Sequence, residues 1–126
     1  NAGFTTGTPW LPVNENYTHI NAQAAFQDRN SIFYYYQKLI QLRKTHPVFR
    51  DGDFRLLFPD NQEIFAYIRE NDREKMLVVC NFSAMYHTLC LPEDFWNAEV
   101  LISNYPEADR TLRPYEAFIR YQKKGK

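Results

Sequence analysis

Apolar and polar positions change period once along the chain. Residues 1–30 show no sustained repeat and read as a long, partly structured loop. Over residues 31–45 the apolar positions follow a helical period. Ile32, Phe33, Tyr35, Tyr36, Leu39, Ile40 and Leu42 fill about half the circumference, and Gln37, Lys38, Gln41 and Lys44 fill the rest. Arg43 falls inside the apolar arc, so it is a structural residue expected to reach a carboxylate or backbone carbonyls at the edge. Asp28 or Asn30 is placed to cap this helix. It should stop at His46-Pro47, because the residue before proline is pushed out of the α region. A cation at His46 would favour the helix dipole there.

From Val48 onward the pattern switches to short strands separated by turn signals. The spacing predicts strands at 54–58, 64–69, 75–82, 86–91, 100–103 and 117–121. Pro59-Asp60-Asn61, Glu70-Asn71-Asp72 and Ser83-Ala84 separate the first four. The fold class is therefore mainly β, an antiparallel Greek-key sandwich preceded by a helix. A helix that is apolar over half its surface needs more cover than six short strands require of it. The isolated chain is expected to self-associate.

Composition narrows the function. Lys plus Arg and Asp plus Glu are both 15, so no net field attracts nucleic acid or an anionic membrane. No apolar run approaches the roughly 20 residues of a membrane span. Aromatics make up 17% of the chain, enough for a dense core. If the turn after the 75–82 strand is a tight hairpin, Cys80 and Cys90 sit diagonally, about 7–8 Å apart, which is long for a disulfide. Both are expected to be free, mostly buried thiols, in keeping with a reducing cytoplasm.

The usual chemistries are poorly represented. His19, His46 and His87 have no metal-ligand spacing with each other or with the cysteines, and no cofactor is implied. Gly3 and Gly7 lack the context of a phosphate loop. Cys80 and His87 have opposite parity across the expected hairpin and should face opposite sides. Most of the 15 acidic residues flank predicted strands, where a solvated rim is the simplest reading. The opening run from Asn1 to Pro12 is rich in Gly, Pro and Thr and has no initiator Met, so the chain is expected to be a piece of a larger protein.

Several ordered motifs carry a resemblance. Residues 1–11, Asn14-Glu15-Asn16-Tyr17 and Ile20-Asn21 resemble the loop after the last barrel strand of bacterial α-glucosidases. Residues 31–44 resemble the last barrel helix. Ile64-Phe65-Ala66-Tyr67, Val78-Val79-Cys80-Asn81-Phe82 and Leu101-Ile102-Ser103-Asn104-Tyr105 resemble strands of the C-terminal β-domain. Leu112-Arg113-Pro114-Tyr115-Glu116-Ala117 resembles its closing strand. The family is that of oligo-1,6-glucosidases, dextran glucosidases and trehalose-6-phosphate hydrolases, within the α-amylase superfamily. Glu15 stands where a proline is usual, and Phe118-Ile119 replaces a more polar pair.

The resemblance implies that residues 1–47 end a (β/α)8 catalytic barrel and that 48–126 form the C-terminal β-sandwich. It implies an intracellular retaining exo-α-glucosidase acting on short α-1,6-linked oligosaccharides such as isomaltose, with the upstream barrel as this chain's partner. The family's catalytic carboxylates lie upstream and match no position here, so the chain alone is expected to hydrolyse nothing. Phe4 and Trp10 are the candidate substrate-binding residues, on a loop at the barrel entrance. Pinning the loop to the barrel is their alternative role. Arg113 and Glu116 are structural candidates for anchoring the β-domain against the barrel helix. A free-standing carbohydrate-binding sandwich and a structural or oligomerisation module stay open beside the enzyme reading.

Overall fold

The computed structural model describes residues 1–88, 90–106 and 110–125. They form two compact units, Asn1–Ile40 and Gln41–Lys126, divided inside the long helix.

The first unit is held by local bonds. Asn14 caps a 3₁₀ turn at Glu15–Thr18, and Asn21 caps helix α1 (Ala22–Gln27) by accepting from the Ala24 N–H. Helix α1 falls within the stretch where the sequence shows no sustained period. The Asp28 carboxylate accepts from the Asn30 N–H two residues on, an Asx turn, and does not appear among the bonds of the next helix. Helix α2 (Ile32–Thr45) follows. Phe26 packs on Phe33 at 4.4 Å between ring centroids, and the Tyr34 hydroxyl donates to the Phe26 carbonyl. None of residues 1–40 is buried. Ile20, Ile32, Tyr36 and Ile40 all lie open.

The second unit has its own core. After α3 (Val48–Asp51) come β1 (Asp53–Leu57), β2 (Ile64–Glu70), β3 (Glu74–Asn81), β4 (His87–Thr88), β5 (Glu99–Ser103), β6 (Thr111–Leu112) and β7 (Ala117–Lys123). β1-β2-β3-β7-β5 make one antiparallel sheet, and β4-β6 make a second, small one. After β3 the chain leaves the large sheet for β4, returns at β5, leaves again for β6 and closes with β7 between β3 and β5. That return gives the Greek-key character. Asn61 and Asn71 build the two hairpin turns, each side chain accepting from two backbone N–H groups that follow.

Alternation along the strands sorts the two faces. Ile64, Ala66, Ile68, Leu77, Val79 and Phe118 point inward and meet Leu91, Phe95 and Leu112 in one core. Arg120 shares the inner face. Its Nη1 donates to the carbonyls of Phe95 and Trp96, and burial lowers its pKa.

One expected strand is corrected. Of the expected strand at 86–91, residue 89 lies outside the described residues, and among the others only His87–Thr88 are extended, as β4, which pairs with β6. Asn81, 4% exposed, explains the break. Its Nδ2 donates to the carbonyls of Met85 and Arg113, and its Oδ1 accepts from the Ser83 N–H and hydroxyl. The 83–86 segment is thus tied toward the β6–β7 turn and away from a hairpin on β3. Cys90 is correspondingly exposed, against the expectation of a buried thiol, and Cys80 is half-buried; both are free.

Candidate functional site

Phe4 and Trp10 stand 84% and 91% exposed on the opening segment. A turn with left-handed Ala2 (φ 52°) and Gly3 (φ 80°) starts it. Asn1 Nδ2 then donates to the carbonyls of Thr5 and Gly7, and the Gly7 N–H donates to the Thr5 hydroxyl. The Thr5 hydroxyl is therefore spent on the loop's own backbone. Phe4, Trp10, Leu11, Val13, Tyr17 and Ile20 line a hollow of about 1000 Å³. Asn21, also on it, is engaged as the α1 cap and donates to the Tyr17 carbonyl. An apolar, ring-walled hollow of this kind suits the faces of a sugar ring.

Arg43 Nη1 donates to the Phe49 carbonyl at 3.3 Å. Arg113 and Glu116 meet each other. Two guanidinium nitrogens reach the two carboxylate oxygens at 2.9 and 2.7 Å, and the Arg113 N–H adds a third bond at 2.8 Å. Glu116 is 1% exposed, and Arg113 stacks on Tyr105 at 4.2 Å. These bonds brace the turn between β6 and β7, where Tyr115 takes a left-handed φ of 55°.

Other carboxylates are engaged as structural ties. Lys75 holds the Asp94 carboxylate at 2.6 Å and pushes its pKa down. Lys124 does the same for Glu70. Among the described residues no group of three or more His, Cys, Asp or Glu side chains is placed to hold a metal ion. No helix among them is long and apolar enough to cross a membrane.

Two clusters escaped sequence reasoning. Ser83, His87 and Glu63 converge, with His87 Nε2 at 3.0 Å from the Ser83 hydroxyl and 3.1 Å from the Glu63 carboxylate. A nucleophilic relay needs the hydroxyl on one ring nitrogen and the acid on the other. Both partners here share Nε2, so this is a loop tie. The second cluster centres on Glu74, which accepts from the Val48 N–H at 3.1 Å and the Tyr121 hydroxyl at 2.8 Å. His46 Nδ1 lies 3.7 Å from it. No local spacing links 46 and 48 to 74 and 121; the β3–β7 pairing joins the last two, and the packing of α3 on β3 brings in the first two.

Residues 1–52 match the family model for the alpha amylase catalytic domain, and residues 54–119 match that for the maltogenic amylase C-terminal domain. The chain is 48% identical to an oligo-1,6-glucosidase of Heyndrickxia coagulans, over 98% of this chain and 22% of that protein. It is 46% identical to a trehalose-6-phosphate hydrolase of Bacillus subtilis (strain 168), over 94% and 23%. The crystal structure of Bacillus licheniformis trehalose-6-phosphate hydrolase superposes with a TM-score of 0.87 at 44% identity, over 98% of this chain and 24% of that one. The trehalulose synthase of Pseudomonas mesoacidophila MX-45 also superposes at 0.87, with 40% identity over 96% and 23%. The chain thus spans less than a quarter of the length of these relatives. It belongs to the alpha-amylase family, joining a stretch of the catalytic domain to the maltogenic amylase C-terminal domain.

Proposed function

We propose that this chain is the scaffold end of a retaining exo-α-glucosidase that hydrolyses α-1,6-linked gluco-oligosaccharides of the isomaltose type in the cytoplasm. Residues 1–47 close the catalytic barrel, and 48–126 form the sandwich that supports it. Retention needs two carboxylates about 5–5.5 Å apart, one as nucleophile and one as acid and base. The upstream barrel supplies them. This chain supplies Phe4 and Trp10 at the substrate entrance and hydrolyses nothing alone.

The observation that carries this reading is the open first unit. Residues 1–40 bury no side chain, yet present Trp10, Ile20, Ile32, Tyr36 and Ile40 to solvent. Such a surface belongs against a larger body. The similar proteins include an oligo-1,6-glucosidase, a trehalose-6-phosphate hydrolase and a trehalulose synthase, all sharing this region. That spread supports a reaction set elsewhere in the protein.

Trehalose-6-phosphate hydrolysis is the second reading, favoured by the 46% identity to such an enzyme. Against it, no Lys or Arg occurs before Arg29, so the opening segment offers a phosphate no cationic side chain. Glucose release from isomaltose and from trehalose 6-phosphate should be measured for the full-length gene product and for this chain. Release from isomaltose by the full-length protein alone is expected. Release from trehalose 6-phosphate alone would replace the substrate, and release by the isolated chain would overturn the scaffold role.

A further inference from the structure

One wall of the opening hollow depends on a single amide. Asn1-Ala2-Gly3-Phe4 is a tight turn in which the Phe4 N–H donates to the Asn1 carbonyl at 3.0 Å. Ala2 and Gly3 both take left-handed φ, the pattern of a type I′ turn. Gly3 adopts that φ freely, but Ala2 carries a Cβ into it and is strained. Such a conformation persists only where its surroundings hold it. The Asn1 amide does so. Its nitrogen has two hydrogens and donates to two carbonyls, Thr5 at 3.1 Å and Gly7 at 3.0 Å. The Gly7 N–H closes the segment on the Thr5 hydroxyl at 3.1 Å. Phe4 sits between the turn and these bonds. Its ring is 84% exposed, so packing within the chain does little to fix it, and the backbone sets where it points.

We infer that Asn1 is a positioning residue for the glucosidase reaction: its amide holds the strained turn and thereby pre-orients the Phe4 ring as a wall of the sugar-binding hollow. This rests on the reading of Phe4 as a substrate-entrance residue. Phe4 touches the sugar, and Asn1 acts through Phe4. Without the brace the segment samples other directions, and only a fraction of the protein presents the ring. Apparent affinity falls by that fraction. The chemical step, carried by the upstream carboxylates, is left alone. The role needs a donor at position 1. An aspartate of the same shape has none, and it would set its oxygens against the Thr5 and Gly7 carbonyls.

Asn1→Asp in the full-length gene product tests this with two independent readouts. Hydrogen exchange read by mass spectrometry should speed up severalfold in the peptide covering residues 1–7 and stay unchanged elsewhere. The KM for isomaltose should rise severalfold while kcat stays within about twofold of the parent. Phe4→Ala should raise KM as well. On the Phe4→Ala background Asn1→Asp should add nothing further, because both changes act through the same ring. An additive effect would mean that Asn1 supports the protein by another route, and an unchanged KM in Asn1→Asp would mean that Phe4 needs no brace; either overturns the inference. The exchange readout needs no activity, so the two proposals can fail separately. Faster exchange in Asn1→Asp with no change of KM in Phe4→Ala would sink the entrance role of Phe4 and leave only the brace. A raised KM in Phe4→Ala, with exchange and KM both unmoved in Asn1→Asp, would do the reverse.

Discussion

Glu116 shows how much one side chain holds here. It is 1% exposed and takes three bonds from Arg113, two of them from the guanidinium. Paired in this way the buried charge is tolerated; with the Arg113 guanidinium gone, the Glu116 carboxylate is left buried without its cation. Arg113→Ala should therefore cost about 3 kcal/mol in urea unfolding of the chain. A loss of about 0.5 kcal/mol or less would place the residue among ordinary surface positions. The sequence marked the pair as structural through Arg-Pro-Tyr-Glu, but gave no sign that its two members bind each other across the turn. Asn81 was harder still. It ends the apolar run Val78-Val79-Cys80, where periodicity assigns a face but cannot reveal that an amide will satisfy the backbone of two separate loops. A contact of that kind depends on the fold being formed.

The helical joint and the sheet meet at Glu74. Its carboxylate accepts the first N–H of α3 and the Tyr121 hydroxyl of β7, so one side chain ties α3, β3 and β7. Burial and the adjacent carboxylate push the Tyr121 hydroxyl up to about 12 from its ordinary 10. A group whose folded pKa is raised contributes its stability fully below the unfolded value and loses it as pH climbs through the folded one. The stability tied to Tyr121 should be intact up to about pH 10 and decline between about 10 and 12. Tyr121→Phe should flatten that part of the pH–stability curve while lowering stability at neutral pH. Identical alkaline slopes in variant and parent would show that Tyr121 does not report on the joint. At this scale the strands were legible wherever alternation or a turn residue acted locally. α2, β1, β2, β3, β5 and β7 fall within two residues of their expected bounds. β4 and β6 were not, because each is two residues long and exists only through the other.

At the scale of the whole molecule, the two units differ in what they can support alone. Gln41–Lys126 buries a contiguous core around Phe95, Leu112 and Phe118, and Asn1–Ile40 buries nothing. The half-apolar circumference of α2, readable from its period, becomes in the structure an exposed stripe of Ile32, Tyr36 and Ile40. Helix propensity alone holds a segment of this length only marginally in water. The stripe must therefore be covered or the first unit will fray. In the isolated chain the available cover is another copy, and the apolar surface on the helix and on the sheet favours that association. Light scattering after size exclusion should show species heavier than 15.1 kDa that dissociate on dilution. Ile32→Lys/Tyr36→Lys/Ile40→Lys should shift the population toward monomer and leave the β-domain's melting transition in place. A chain that stays monomeric at high concentration with α2 fully helical by circular dichroism would mean that the stripe needs no cover. The main physical reason for placing this unit against a larger catalytic domain would then be lost.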